Sequence, residues 1–383
     1  MKAAILHGRG QIQIEELEPP PLKPGEVRIR IEAALTCGTD LKVFKRGYHA
    51  KMIVPPAVFG HELAGVISEV AGGGTGSPLP AAHSAKKNGA HGVTHPTQTI
   101  ETWKIGDRVV AANSAPCGDC FHCRCSQENL CEDLQFLNGA YAESLVIPAR
   151  IVQQNLLRLK PETDFRDAAL VEPLACVVQG VADTNLSTGQ NVLVIGAGPI
   201  GLMFVALAKN AGCNVSIAGR GEKRLQTARR VGAGKVFEVG KDGDVVKAVI
   251  GRDGVPPSRI SGSPTRRPSR FDVVIEAVGR PETWEAAVQL VRKGGSVNFF
   301  GGCPSGTKAS FDTELIHYSS LTLLASFHHT PRAIRRALEL IEAGLIRARD
   351  FVDGECLLSR LPELFKKMAA GNHAIKTLIR VHE

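Results

Sequence analysis

Residues 191–212, NVLVIGAGPIGLMFVALAKNAG, constrain the fold most. A short apolar run ends in GAGPIG and passes directly into a helix-length apolar segment. Gly196, Gly198 and Gly201 have the G-x-G-x-x-G spacing, with Pro199 and Ile200 filling the variable positions. On its own this spacing also fits a merely structural glycine-rich turn. Placed between a strand and a helix, it is the fingerprint of a dinucleotide site. Gly196 permits the tight turn, Gly198 lets the backbone approach a pyrophosphate, and Gly201 lets helix and strand pack closely. The free N–H groups at the helix start face the anion.

The alternation continues downstream. NVSIA, KVFEV, FDVVIEAVG and GGSVNFFGG read as strands, and EKRLQTARRVGA reads as a helix between the first two. Strands alternating with helices predict a parallel sheet covered on both faces, so the class is α/β. Thr330 and Pro331 mark a further helix start, and Gly344 marks its end. The first ~70 residues differ. Val27, Ile29 and Ile31 alternate with Arg28 and Arg30, the period of a half-buried strand, so this part is mainly β.

Two stretches lack periodicity. Residues 72–100 are rich in Gly, Pro, Ser and His and read as a long surface loop. His83, His91 and His95 within it are weaker metal candidates than a polar loop. Residues 252–270 carry five arginines among Pro, Ser and Gly and read as a solvated insertion rather than an anion patch.

The end of the second strand of the α/β part discriminates between nicotinamide cofactors. NAD enzymes usually place Asp or Glu there, to bond the ribose 2′-hydroxyl. This chain has Gly219, then Arg220, with Arg224 four residues on. A glycine leaves room for a 2′-phosphate and guanidiniums pair with it, so NADP is expected in preference to NAD. The alternative is that both arginines are solvated residues at a helix start.

Cys117-x2-Cys120-x2-Cys123-x7-Cys131 supplies four thiolates that can close on one tetrahedral Zn²⁺, leaving no open position. Cys125 lies between them and is expected to point away. The chain has ten cysteines, and the N-terminus lacks the apolar core of a secretion signal. A reducing, cytoplasmic setting therefore favours zinc over disulfides. A second set combines Cys37, His61 and Glu62, a thiolate, an imidazole and a carboxylate suited to a catalytic Zn²⁺. No apolar run reaches the ~20 residues that span a bilayer. The net charge of +8 is diffuse, which suits anionic small molecules better than nucleic acid.

Taken together, these motifs resemble the zinc-dependent medium-chain dehydrogenases, the alcohol dehydrogenase superfamily. The residues that carry the likeness are Cys37-Gly38-Thr39-Asp40, Gly60-His61-Glu62, the four-cysteine lobe, Tyr141-Ala142-Glu143, Glu172-Pro173-Leu174, GAGPIG and Glu276-Ala277-Val278-Gly279. The sorbitol (polyol) and threonine dehydrogenase branches are most similar, because Glu172 stands where alcohol dehydrogenases carry a second cysteine. The resemblance implies a GroES-like, mainly β catalytic domain over 1–174 and a Rossmann domain over 175–325. It also implies a return of 326–383 to the catalytic domain, and a homodimer or homotetramer.

It further implies that Cys37, His61, Glu62 and Glu172 form the catalytic zinc site, the glutamates directly or through water, with Glu143 as an alternative to Glu172. Cys176 is not placed there by the resemblance. Thr39 would relay the substrate proton, and Asp40 would orient His61. Lys42 departs from the histidine that often ends such a relay. Val278, Gly279 and the Phe300-Gly301 segment would set the nicotinamide face. The expected reaction moves a hydride between a secondary alcohol, polyol or sugar-like, and NAD(P). An amino alcohol such as threonine, or an aldehyde reduced in reverse, is the enzymatic alternative. A catalytically silent nucleotide-binding protein is the alternative of another class.

Overall fold

A computed structural model describes residues 1–48, 52–71, 102–251, 271–371 and 374–382. The expectations for 72–100, including its three histidines, and for 252–270 lie outside the described residues. The chain forms two large sheets. The first holds seven strands and is mainly antiparallel. Its centre is Val27–Leu35, flanked by Glu62–Val70 and, from the far end of the chain, Thr377–Arg380. Val27–Leu35 alternates between buried and less buried residues through Ile31, as its sequence predicts, and is wholly buried from Ala33. At that inner end it adjoins His61 and Glu62.

The second sheet is six-stranded and wholly parallel. Its order is Lys235–Glu238, Asn214–Gly219, Asn191–Ile195, Phe271–Glu276, Val291–Phe299, Thr322–Ala325. Asn191–Ile195 is buried from its second residue onward, because helices cover both faces of a parallel sheet. Strand order reverses between Asn191–Ile195 and Phe271–Glu276, which opens a crevice at their carboxyl ends.

The glycine fingerprint meets its three duties separately. Gly196 has φ +114°, and a Cβ there would lie 2.9 Å from Val278. A Cβ on Gly201 would fall 1.8 Å from the Gly196 carbonyl oxygen, so helix Pro199–Asn210 packs too closely for any side chain. A Cβ built on Gly198 would meet nothing within 4 Å beyond its chain neighbours, so open space lies on that side of the turn.

Helix Val171–Thr184 runs through position 174, so the domain boundary expected there falls inside one continuous helix. One buried cluster joins this helix, Pro199–Asn210 and Pro331–Glu342 with Ala33, Leu35 and Ala64 of the first sheet. Thr330 caps Pro331–Glu342 by accepting from Ala333 N–H, and Gly344 follows its end at φ +77°. The chain then adds Gly354–Leu357 and Thr377–Arg380 to the first sheet. No helix among the described residues is long and apolar enough to cross a membrane.

Candidate active site and zinc lobe

Cys37 is the N-cap of helix Gly38–Arg46, and the Thr39 N–H points at its sulfur at 3.4 Å. His61 and Glu62 follow Gly60, whose φ of +89° and contact with the Tyr141 ring exclude a side chain. These turns bring Cys37 Sγ, a His61 nitrogen and a Glu62 oxygen within 4.8 Å of one another.

Asp40, one turn along from Cys37, serves His61. Its Oδ1 lies 2.9 Å from His61 Nδ1, an ion-pair contact set off the ring N–H axis. Its Oδ2 accepts from the Tyr141 hydroxyl at 2.6 Å. Burial opposes charge on His61, but Asp40 and Cys37 outweigh it and raise its pKa. A carboxylate on Nδ1 leaves Nε2 as the ligating atom and makes it more basic.

Glu62 is fully buried, and Lys376 of the returning chain lies against both its oxygens at 2.5 and 2.6 Å. Burial pushes the Glu62 carboxyl up to about 7 even so, with Lys376 opposing and Glu172 reinforcing the rise. Glu172 is also buried and raised, first by desolvation. It sits in the first turn of Val171–Thr184, and Cys176 lies one turn on, so both project on one face. A Glu172 oxygen, Cys176 Sγ and a His328 nitrogen lie within 4.8 Å of one another.

Asp40, Glu62 and Glu172 thus bury three carboxyls beside one ammonium, Lys376. A divalent cation held by Cys37, His61 and these glutamates would balance that charge, and the donor set suits zinc.

Other expected site residues fall elsewhere. Glu143 accepts from the Lys2 amide at 2.8 Å, with the N-terminal strand, and is not grouped with the site. Lys42 is exposed and reaches the Gly302 carbonyl at 3.3 Å, bridging the two halves beside the crevice. Lys376, His328, Ser114, Asn113 and His329 were not anticipated. The adjacent histidines beside the Thr330 cap were the one available signal.

In the second cluster, the sulfurs of Cys117, Cys120, Cys123 and Cys131 stand 3.5–3.9 Å apart where they touch. A tetrahedron with Zn–S near 2.3 Å has an edge of ~3.8 Å, whereas a disulfide needs ~2.05 Å. Backbone N–H groups of Cys117, Asp119 and Cys120 point at these sulfurs. Such bonds stabilise thiolates: those from the Glu132 and Cys123 amides help bring Cys120 down to about 6. Cys125 is exposed and outside the cluster.

At the crevice, Glu276 accepts from the Val278 and Gly279 amides and the Thr283 hydroxyl, fixing the loop after its strand. A Cβ on Gly279 would fall 2.5 Å from the Gly302 carbonyl, so the two loops touch. Gly219 has a packing reason besides the one read from sequence: a Cβ there would lie 2.4 Å from Ala197. Arg220 is exposed, with a long 3.5 Å bond to the Lys241 carbonyl. Arg224 is turned toward the C-terminal segment, donating to the Ala374 carbonyl at 3.3 Å.

Two family profiles match the chain. "Alcohol dehydrogenase GroES-like domain" covers residues 23–156, and "Zinc-binding dehydrogenase" covers 199–343. D-altritol 5-dehydrogenase of Agrobacterium fabrum is 31% identical over 369 residues, 94% of this chain and 93% of that one. The chain belongs to the zinc-dependent medium-chain dehydrogenases. Sorbitol dehydrogenase of Bacillus subtilis is 26% identical over 385 residues, 99% of this chain and 97% of its own. A zinc-binding dehydrogenase from Sinorhizobium meliloti, solved with NADP bound, superposes with a TM-score of 0.80. It is 27% identical over 99% of this chain and 98% of that one.

The protein is therefore a zinc-dependent oxidoreductase that uses a nicotinamide cofactor. Its two halves are the GroES-like and Rossmann folds of this family.

Proposed function

We propose that this dehydrogenase moves a hydride between a secondary hydroxyl of a polyol or sugar-like substrate and NADP. The observation that carries the reading is Glu172: a buried carboxylate, with His328 and Ser114 close by, at the reacting centre. An apolar alcohol would leave the remaining hydrogen-bonding capacity of those groups unused, which costs binding energy. The names of the sorbitol and altritol dehydrogenases it resembles support the same substrate class.

We assign two zinc ions per chain. Cys37, His61, Glu62 and Glu172 would hold the catalytic ion, and Cys117, Cys120, Cys123 and Cys131 the structural one. The catalytic zinc, when bound, supplies a Lewis acid that lowers the pKa of the substrate hydroxyl. Asp40 keeps the His61 ring oriented and Lys376 holds Glu62, and Thr39, two residues after Cys37, would pass the proton outward. Gly196, Gly198, Pro199, Ile200 and Gly201 would receive the pyrophosphate, with Val278 and Gly279 beside the nicotinamide. Gly219 and Arg220 favour a 2′-phosphate, and Arg224 contributes less because it is engaged with Ala374. The parts of the chain assigned to these tasks are 1–174, 175–325 and 326–383.

The test is a comparison of kcat/KM for sorbitol, inositol, threonine, 2-butanol and ethanol with NADP. A polyol is expected to be best. Ethanol or 2-butanol as the clear best substrate refutes the reading, and threonine as best replaces it with an amino-alcohol dehydrogenase.

A further inference from the structure

The loop after the last parallel strand, 326–330, crosses from the cofactor half to the catalytic half. Two successive histidines there meet two successive polar residues. His328 Nε2 lies 2.6 Å from Ser114 Oγ, and His329 Nε2 lies 2.9 Å from Asn113 Oδ1. The two rings are 4.0 Å apart and tilted by 32°. The docking reaches the reacting centre through His328, which has a ring nitrogen within 4.8 Å of a Glu172 oxygen. Asn113 and Ser114 are themselves buried and give the loop a fixed seat.

The two histidines differ in what they can still do. His329 is 2% exposed and enclosed by protein. His328 remains partly open, and its backbone has φ +61°, a region L residues seldom occupy. Its ring reaches the catalytic half, where Nε2 meets Ser114 Oγ. A ring nitrogen comes within 4.8 Å of a Glu172 oxygen and Cys176 Sγ. Ser114 occupies Nε2, and Nδ1 has no hydrogen-bond partner among the described residues. A neutral imidazole offers one donor and one acceptor, so with Nε2 engaged one polar site remains.

We propose that His328, oriented by Ser114, binds a substrate hydroxyl adjacent to the one that reacts. The inference rests on the polyol reading and names the residue that makes the site prefer a vicinal diol to a lone alcohol. The second hydroxyl would complete the hydrogen bonding of an imidazole already fixed in direction. A substrate without it would leave Nδ1 unpaired in a partly closed site.

The zinc- and NADP-loaded enzyme tests this with two substrates that differ by one hydroxyl, 2,3-butanediol and 2-butanol. For His328→Ala, kcat/KM with the diol should fall roughly 10- to 100-fold, as for a lost hydrogen-bond partner, and with 2-butanol less than about threefold. His328→Asn, which keeps a donor, should lie between Ala and wild type on the diol and serves if the alanine variant does not fold. The visible spectrum of the cobalt-substituted enzyme should be the same with and without His328. Equal losses on both substrates, no loss on either, or a changed cobalt spectrum overturns the proposal. A wild type that prefers 2-butanol, or oxidises neither, overturns the polyol reading and this inference with it. A wild type that prefers the diol while His328→Ala loses both equally overturns this inference alone.

Discussion

Lys376 Nζ stands 2.5 and 2.6 Å from the two carboxylate oxygens of Glu62, across 314 residues of chain. Both side chains are buried, at 2% and 0% exposure. The same ammonium donates to the Thr36 carbonyl at 3.0 Å, and Thr377 N–H to the Thr36 hydroxyl at 2.9 Å. The end of the chain is thereby tied to the floor of the active site.

Removing one partner of a buried pair leaves an uncompensated charge. Lys376→Met should cost about 3–5 kcal/mol of stability. Adding Glu62→Gln should restore part of it, because the stranded carboxylate is then gone while Cys37, His61 and Glu172 remain to hold the ion. Urea unfolding of the zinc-loaded single and double variants measures both. Strictly additive losses would show that the pair carries no coupling.

The two metal positions should respond differently. Metal analysis of the pure protein should give two zinc ions per chain. Cys37→Ser should abolish most activity and leave the thermal midpoint nearly unchanged. Cys120→Ser should lower that midpoint sharply, because a closed thiolate site contributes folding energy directly. One zinc or none with all cysteines intact would refute the assignment.

Cofactor choice should depend on Arg220. Arg220→Ala should weaken NADP binding by about 1–3 kcal/mol, the range for a charge-assisted bond, and change NAD binding little. Titration of both cofactors by fluorescence gives the comparison. A wild-type kcat/KM higher with NAD than with NADP would reverse the assignment.

The docked histidines should make the fold acid-sensitive. Burial pushes His328 down to about 4 and His329 well below its usual value. Above pH ~6.5 these rings are neutral folded or unfolded, and their contribution is complete. Below it the unfolded chain takes up protons that the folded chain refuses. Stability therefore falls from pH ~6.5 down through about 4, by at most ~1.4 kcal/mol per pH unit for each ring. Thermal midpoints between pH 7 and 5 should fall less steeply for His329→Gln than for wild type. Identical slopes would mean His329 already titrates normally.

Much of this protein was legible along the chain, because local signals sufficed. The fingerprint 196–201 sits in one strand–turn–helix, where steric limits on each glycine act over a few residues. The four cysteines fall within fifteen residues, so spacing alone brings their sulfurs together. Cys37 and His61 carried their chemistry in their immediate neighbours, and Glu172 was recognised through its EPL motif.

What depends on distant parts of the chain meeting was not legible. Lys376 gave no hint that it would neutralise Glu62, because only the return of Thr377–Arg380 to Val27–Leu35 places them together. The position-174 boundary looked natural in sequence but lies within a helix that helps build the core shared by both halves. The bond from Arg224 to the Ala374 carbonyl, which ties it to the C-terminal segment, has no signal in the sequence. His328 and His329 became an anchor for the active site only when their loop crossed to Asn113 and Ser114. Sequence determined the chemistry available at each point, through side-chain type and local spacing. The tertiary structure decided which charges are buried together, because desolvation and pairing act through space and ignore separation along the chain.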